Sequence, residues 1–292
     1  MKPPNFDYYD PRELEEVFEL LGRYQGDAKI LAGGQSLIAL LNFRLSRPAA
    51  LIDINRLPHL SYIEERDGRL CFGALTRQRT IEFSTVVRER LPLMAEATQY
   101  VGHLPTRTRG TIGGSLAHAD PAAEYPALVT ALDAELVIGR ATGQRIMKAR
   151  EFFRDVMTTA LEPDEVLLEV RIPPMPSGAG WAFEEFSRRH GDFAIVAVAA
   201  QLAIDRAGRC SEVRLAAAGA GPTPVRLQKA EKILLQSSLS DEVLAEAAQS
   251  ASEEVEPSSD IHAPADYRRH LTRVLTKRAL CKALARAKER QS

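Results

Sequence analysis

Leu14, Val17, Phe18 and Leu21 recur at helical spacing and would line one face of a helix. Asp10-Pro11 ahead of them predicts where it starts, a cap residue followed by proline at the first helical position. Residues 28–31 and 50–54 read as short strands, with an apolar helix over 36–43 between them. Strand, loop, helix, strand predicts a small parallel α/β unit. Residues 62–64 and 70–72 predict a hairpin closed by Asp67-Gly68. Helices are predicted over 80–87 and 92–100, and Asp120-Pro121 predicts another running to about Leu132. Strands over 136–138 and 166–170 make this second part an α+β unit.

Pro173-Pro174-Met175-Pro176-Ser177-Gly178 resists helix and sheet alike. It predicts a boundary between a first domain, 1–176, with subdomains of about 1–55 and 56–176, and a second, 177–292. Beyond it, 181–188, 195–204 and 213–218 read as antiparallel strands, the last two joined by a turn at 205–209. Helices are predicted over 226–235, 240–251 and 267–288.

Composition narrows the function classes. The 292 residues are 45% apolar and 26% charged, ordinary for a folded chain with a sizeable core. A net charge of −1 supplies no field that would hold nucleic acid or a membrane surface. The first residues lack the apolar segment of a signal peptide, and no run reaches the ~20 apolar residues of a transmembrane helix. Cys71, Cys210 and Cys281 lie far apart without a C-x-x-C pair, so no iron–sulfur cluster or structural zinc is expected on this chain. They are expected as buried or half-buried free thiols. Together these features predict a cytoplasmic protein.

Two stretches carry the chemistry. Thr111-Ile112-Gly113-Gly114-Ser115-Leu116 follows a polar approach, and Ala32-Gly33-Gly34-Gln35-Ser36-Leu37 has the same design. Glycine permits positive φ and close approach of backbone to a ligand. Successive N–H groups can converge on an anion, and Ser36, Thr111 and Ser115 add hydroxyls. One loop on each side would enclose the pyrophosphate of a dinucleotide. Neither matches G-x-G-x-x-G, and there is no G-K pair, so Rossmann and P-loop readings have no support.

With Ala117-His118-Ala119-Asp120-Pro121-Ala122-Ala123-Glu124 after the second stretch, and residues 183–194 and 267–271 further on, the chain resembles the FAD-binding medium subunit of the molybdenum hydroxylases, nearest to carbon-monoxide dehydrogenase medium chains. The resemblance covers nearly the whole chain. It implies a vanillyl-alcohol-oxidase-type (PCMH) FAD-binding fold, α/β and α+β, with a smaller C-terminal domain of antiparallel strands and helices. It implies noncovalent FAD here, a large partner subunit with molybdenum and its pterin, and a small one with two [2Fe–2S] clusters. A dimer of such heterotrimers would pass electrons through FAD to an external acceptor. It also implies cofactor contacts from Ala32, Gly33, Gly34, Gln35, Ser36, Leu37, Thr111, Ile112, Gly113, Gly114, Ser115, Asp120, Glu124, Leu168 and Asp192. No residue signals covalent flavin attachment. A stand-alone flavin oxidase and a non-redox nucleotide-binding scaffold are the other classes.

Several of these residues have plainer readings. Asp120 would cap the helix begun by Pro121, and Glu124, four residues on, would face the same way and accept from ribityl or ribose hydroxyls. Gln35 would brace its own loop, Leu168 would be core, and Asp192 would turn the chain beside Arg188, Arg189 and His190. His118 has no metal-spaced partner. Arg107 and Arg109 would be solvated or would steer phosphate or a partner. Pro105, Thr106 and Thr108 depart from the family pattern there, as do Ala39 and Leu41 after the first stretch. The basic residues from Arg268 to Arg290 read as a solvated helix face or a subunit contact.

Overall fold

A computed structural model describes residues 2–291. The first sheet is parallel: β1 (Asp7–Tyr9) and β2 (Ala28–Leu31) flank β3 (Ala50–Asp53), with α1 (Leu14–Tyr24) and α2 (Leu37–Asn42) as the connections. This is the predicted parallel unit with one further strand. Helix α1 begins at Leu14, capped by the extended Glu13, and not at Pro11. It buries Val17, Leu20 and Leu21 against β3 and the start of the next unit.

The second sheet has five antiparallel strands in the order β4 (Ile63–Arg66), β5 (Arg69–Gly73), β10 (Val166–Ile172), β6 (Glu135–Arg140) and β7 (Gly143–Lys148). Asp67 and Gly68 both take positive φ, 51° and 70°, as a tight two-residue hairpin requires. The helices of this unit are α3 (Gln78–Phe83), α4 (Thr85–Arg90), α5 (Pro92–Thr98), α6 (Leu104–Arg109), α7 (Ile112–His118), α8 (Glu124–Ala131) and α9 (Ala149–Phe152). A small hairpin, β8 (Phe153–Asp155) with β9 (Thr158–Thr159), follows α9.

Three expectations fail in this unit. The helix predicted over 80–87 is broken at Ser84, whose hydroxyl accepts from Val87 N to start α4. The helix after Asp120-Pro121 begins at Glu124; Asp120 Oδ1 accepts from Ala122 N at 2.9 Å and closes a turn before it. Gly113 and Gly114 are not a loop but the first turn of α7.

In the third sheet β11 (Gly180–Phe186), β12 (Val196–Ile204), β13 (Cys210–Ala218) and β14 (Val225–Arg226) follow in chain order. All nine residues of β12 are buried. Its alternate residues face opposite ways: Ala197 and Ala199 join the core around α5 and α8, while Val196, Val198 and Leu202 join the core under α10 (Gln228–Leu234), α11 (Asp241–Glu253) and α12 (Ala265–Glu289). Helix α12 is no merely solvated basic face. Arg268 is buried and donates to the carbonyls of Ile195 and Gly219, while Arg286 pairs with Glu96 of α5. Cys71 and Cys210 are buried, but Cys281 is exposed, contrary to expectation. Among the described residues, no helix is long and apolar enough to cross a membrane.

Candidate cofactor site

The two glycine stretches meet. Strand β2 delivers Ala32–Ser36 to the sheet end, where a Cβ on Gly33 would lie 2.5 Å from Arg109 O and 2.8 Å from Gly110 Cα. A Cβ on Gly114 would stand 3.8 Å from the Ala32 Cβ. Gly34 takes φ +71°, the conformation expected of a phosphate-cradling glycine.

The stretches nevertheless differ in what they offer. In the second, the N–H groups of 112–115 are engaged: Ile112 N to Thr76 O, Gly113 N to Ala74 O, Ser115 N to Thr111 O, and Gly114 N to Thr111 Oγ1 at 3.0 Å. Thr111 is the helix cap, and neither Gly113 nor Gly114 has positive φ. Gly113 is glycine because a Cβ would lie 2.6 Å from the Ala74 Cβ. The expected convergence of N–H groups here is therefore replaced by close approach at Gly114 and the half-buried Ser115. In the first stretch the N–H groups of Gly33, Gly34, Gln35, Ser36 and Leu37 meet no acceptor among the described residues. The Gln35 amide braces its own loop, donating to Gly33 O at 3.1 Å.

From α7 the chain turns through Ala119, at φ +53°, to Asp120, and the Pro121 carbonyl accepts from Gly219 N, just past β13. Glu124 then starts α8, fully enclosed. Burial pushes its pKa up to about 7, against its own main-chain N–H, and Asp120 adds to the rise. Glu185, on β11, is pushed up to about 8 by burial and then by the Glu124 charge. Its Oε2 is buried with no hydrogen-bond partner. A buried carboxyl at the start of α8 and one on β11 with an unpartnered oxygen suit a ligand that brings hydroxyl or N–H groups.

The other predicted residues have settled places. Leu168 is core, bulged out of the β10 register, with its carbonyl accepting from Ala74 N. Asp192 pairs with Arg189 at 3.1 Å in a turn whose Gly191 abuts His103. Arg107 is not simply solvated: it donates to Glu82 at 2.9 Å and to the carbonyls of Val101 and Gly102. Arg109 is exposed. Burial lowers the pKa of His118, and Asp120 opposes it.

Residues 4–175 match the model of the FAD-binding domain in molybdopterin dehydrogenase, and residues 181–283 that of the CO dehydrogenase flavoprotein C-terminal domain. The chain belongs to the family of FAD-binding subunits of the molybdopterin dehydrogenases. It is 44% identical to the 6-hydroxypseudooxynicotine dehydrogenase complex subunit alpha of Paenarthrobacter nicotinovorans, over 99% of this chain and 97% of that one. It is 38% identical to the carbon monoxide dehydrogenase medium chain of Hydrogenophaga pseudoflava, over 98% and 99%. A solved structure of carbon monoxide dehydrogenase from that organism, lacking the Mo-pyranopterin moiety, superposes with a TM-score of 0.96 at 39% identity over 98% and 99%. The expected resemblance to carbon-monoxide dehydrogenase medium chains holds, and a subunit named for a nicotine-derived substrate is more similar still.

FAD fits the residues of this flavoprotein subunit. Among the described residues five free N–H groups offer the donors a diphosphate would take, and the unpartnered Glu185 oxygen and Glu124 offer acceptors a polyol or ring N–H would take. Asn55, Arg77 and Glu185 were missed in the sequence. Only Asn55, two residues past the acid that ends a buried strand, carried a local sign of its role as a turn residue.

Proposed function

We propose that this chain is the electron-transfer subunit of a three-chain molybdenum hydroxylase. It holds FAD noncovalently between the two glycine stretches and the acidic pair. A large partner subunit with molybdenum and its pterin oxidises the substrate, and a small partner with two [2Fe–2S] clusters delivers the electrons. The assembly is a cytoplasmic dimer of heterotrimers that reduces an external acceptor. The observation that carries the cofactor placement is the row of five free donors from Gly33 to Leu37, butted against Arg109–Gly110.

Bound FAD supplies the step no side chain here offers, taking electrons singly and releasing them in pairs. The chain's own residues bind and orient it. Gly33, Gly34, Gln35, Ser36 and Leu37 donate to the pyrophosphate, with Ala32 fixing the loop's direction. Gly114 allows close approach, Ser115 adds a hydroxyl, and Thr111, Ile112 and Gly113 lock the turn from behind. Asp120 and Glu124 accept from the sugar or ribityl hydroxyls, and Glu185 holds a proton at its enclosed carboxyl. Asp192, in the turn after β11, lies near the flavin ring, and Leu168 is a wall residue. The division into 1–176 and 177–292 is supported by the family matches ending at 175 and beginning at 181.

Co-expression of the chain with large and small subunits of this family tests the reading. A complex with one FAD per copy, released free on denaturation, is expected. Flavin that stays with the denatured polypeptide, or an active monomer that ignores both partners, overturns it.

A further inference from the structure

Arg77 belongs to neither glycine stretch, yet its guanidinium joins them. Nη2 donates to Asn55 Oδ1 at 2.6 Å, and Asn55 Nδ2 donates in turn to Ala32 O at 2.8 Å and to Asp53 Oδ1 at 2.6 Å. Nη1 donates to the Arg109 carbonyl. The main chains of Arg77 and Thr111 form an isolated β-bridge, which fixes the base of the side chain beside the second stretch. Tyr8 anchors the far end of the network by donating to Asp53 Oδ2 at 2.7 Å. Gly33 leans on the same peptide that Arg77 grips.

Two consequences follow from this wiring. A trans peptide is planar, with its C=O and N–H pointing in opposite directions. With Ala32 O held by Asn55, the Gly33 N–H is turned away from the network, as the first of the five free donors. With Arg109 O held by Arg77, the peptide against which Gly33 packs cannot tilt, so the gap between the two stretches is fixed. The Ala32 and Arg109 carbonyls, which would repel an anion, are both taken up by donors.

We propose that Arg77, acting through Asn55, is a positioning residue that sets the spacing and donor direction of the pyrophosphate cradle; this rests on the FAD placement proposed above. A planar fork with donors aimed two ways is needed, and lysine, a single point charge on a flexible stem, cannot bridge both acceptors in fixed geometry.

The test uses the flavin-free full-length chain as wild type, Arg77→Lys, Asn55→Ala and the double variant. FAD, ADP and riboflavin are titrated against each, with thermal unfolding alongside. Arg77→Lys and Asn55→Ala are each expected to weaken FAD and ADP by about 10–100-fold, the size of one or two misdirected hydrogen bonds. Riboflavin, which has no diphosphate, should change by less than about twofold, and unfolding by a few degrees at most. The double variant should lose less than the two single losses combined, because the residues share one network. FAD and ADP binding at wild-type strength in Arg77→Lys overturns the proposal, as does an equal loss for riboflavin, which marks general loosening. Should Arg77→Lys fail to fold, Asn55→Ala, which spares the Arg77–Arg109 contact, decides the matter by the same criteria. A wild-type chain that binds FAD but not ADP overturns instead the placement of the pyrophosphate, and this inference with it.

Discussion

At the scale of single residues, two kinds of glycine share one motif. Gly34 is needed for its φ of +71°, whereas Gly33 and Gly113 are needed because a methyl group would strike backbone or Ala74. Gly33→Ala must part the two stretches, since its Cβ would lie 2.5 Å from Arg109 O. FAD affinity of the folded chain is expected to fall at least about tenfold. Gly68→Ala, at an open hairpin turn with nothing within 4 Å, should cost stability only. Flavin fluorescence titration of both variants checks this, and normal affinity in Gly33→Ala would remove the loop contact from the site. The acidic pair gives a pH signature. Burial pushes Glu124 and Glu185 up to about 7 and about 8 in the folded chain, against about 4.3 for an unfolded glutamate. The folded state then binds more protons than the unfolded one, so stability is greatest below about pH 4.3 as far as these groups are concerned. It falls as pH rises toward 8. Thermal melts of the flavin-free chain from pH 5 to 8 should show that decline, and Glu185→Gln should flatten its upper part. An unchanged slope in Glu185→Gln would mean that its carboxyl is already ionised.

At the scale of elements, the exposed edge of β11 is closed by one side chain of α5. Glu96 accepts from Phe183 N and from Trp181 Nε1, both at 3.1 Å, and pairs with Arg286 of α12 at 2.6 Å. One carboxylate thus caps a sheet edge and ties three elements together. Glu96→Ala leaves the Phe183 N–H buried without an acceptor and the Arg286 charge without its partner. We expect a loss of about 2–4 kcal/mol, read by urea unfolding. Glu96→Gln, which keeps one acceptor oxygen, should lose less. Equal losses in the two would show that the charge, and not the edge cap, carries the effect.

At the scale of the whole molecule, the proline-rich segment joins halves that share a core. Phe183, Ala197, Ala199, Ala216 and Ala218 of the third sheet pack with Met94, Tyr125 and Leu128 of the preceding unit. Arg226 donates to the carbonyls of Thr130 and Ala131, both near 3 Å. Proteolytic nicking within 173–178 should therefore leave one species on gel filtration with its FAD retained, because burial rather than chain continuity holds the halves together. Separation of the fragments in native buffer would count against a shared core.

The sequence by itself determined the elements whose signal is local. The parallel unit, the Asp67-Gly68 hairpin, the long strands of the third sheet and the closing helices follow from periodicity and turn chemistry within a few residues. The proposal of Gly33–Leu37 as a ligand loop starts from the same kind of local signal, since paired glycines before an apolar segment are legible without a fold. Helix starts were less secure: Asp10 and Asp120 stand before prolines as caps would, but the helices begin at Leu14 and Glu124, and Asp120 instead closes a turn whose Pro121 carbonyl accepts from Gly219 N. The tertiary structure alone decided which N–H groups are free. Donors at 112–115 are consumed by Thr76, Ala74 and the Thr111 residue, partners distant in sequence or hidden in a cap. It also decided that the Glu124 charge would reach Glu185, and that Arg77, with no motif of its own, would stand between two stretches that lie far apart in the chain. Hydrogen-bond satisfaction and burial are properties of neighbours in space, and those neighbours exist only once the sheets have packed.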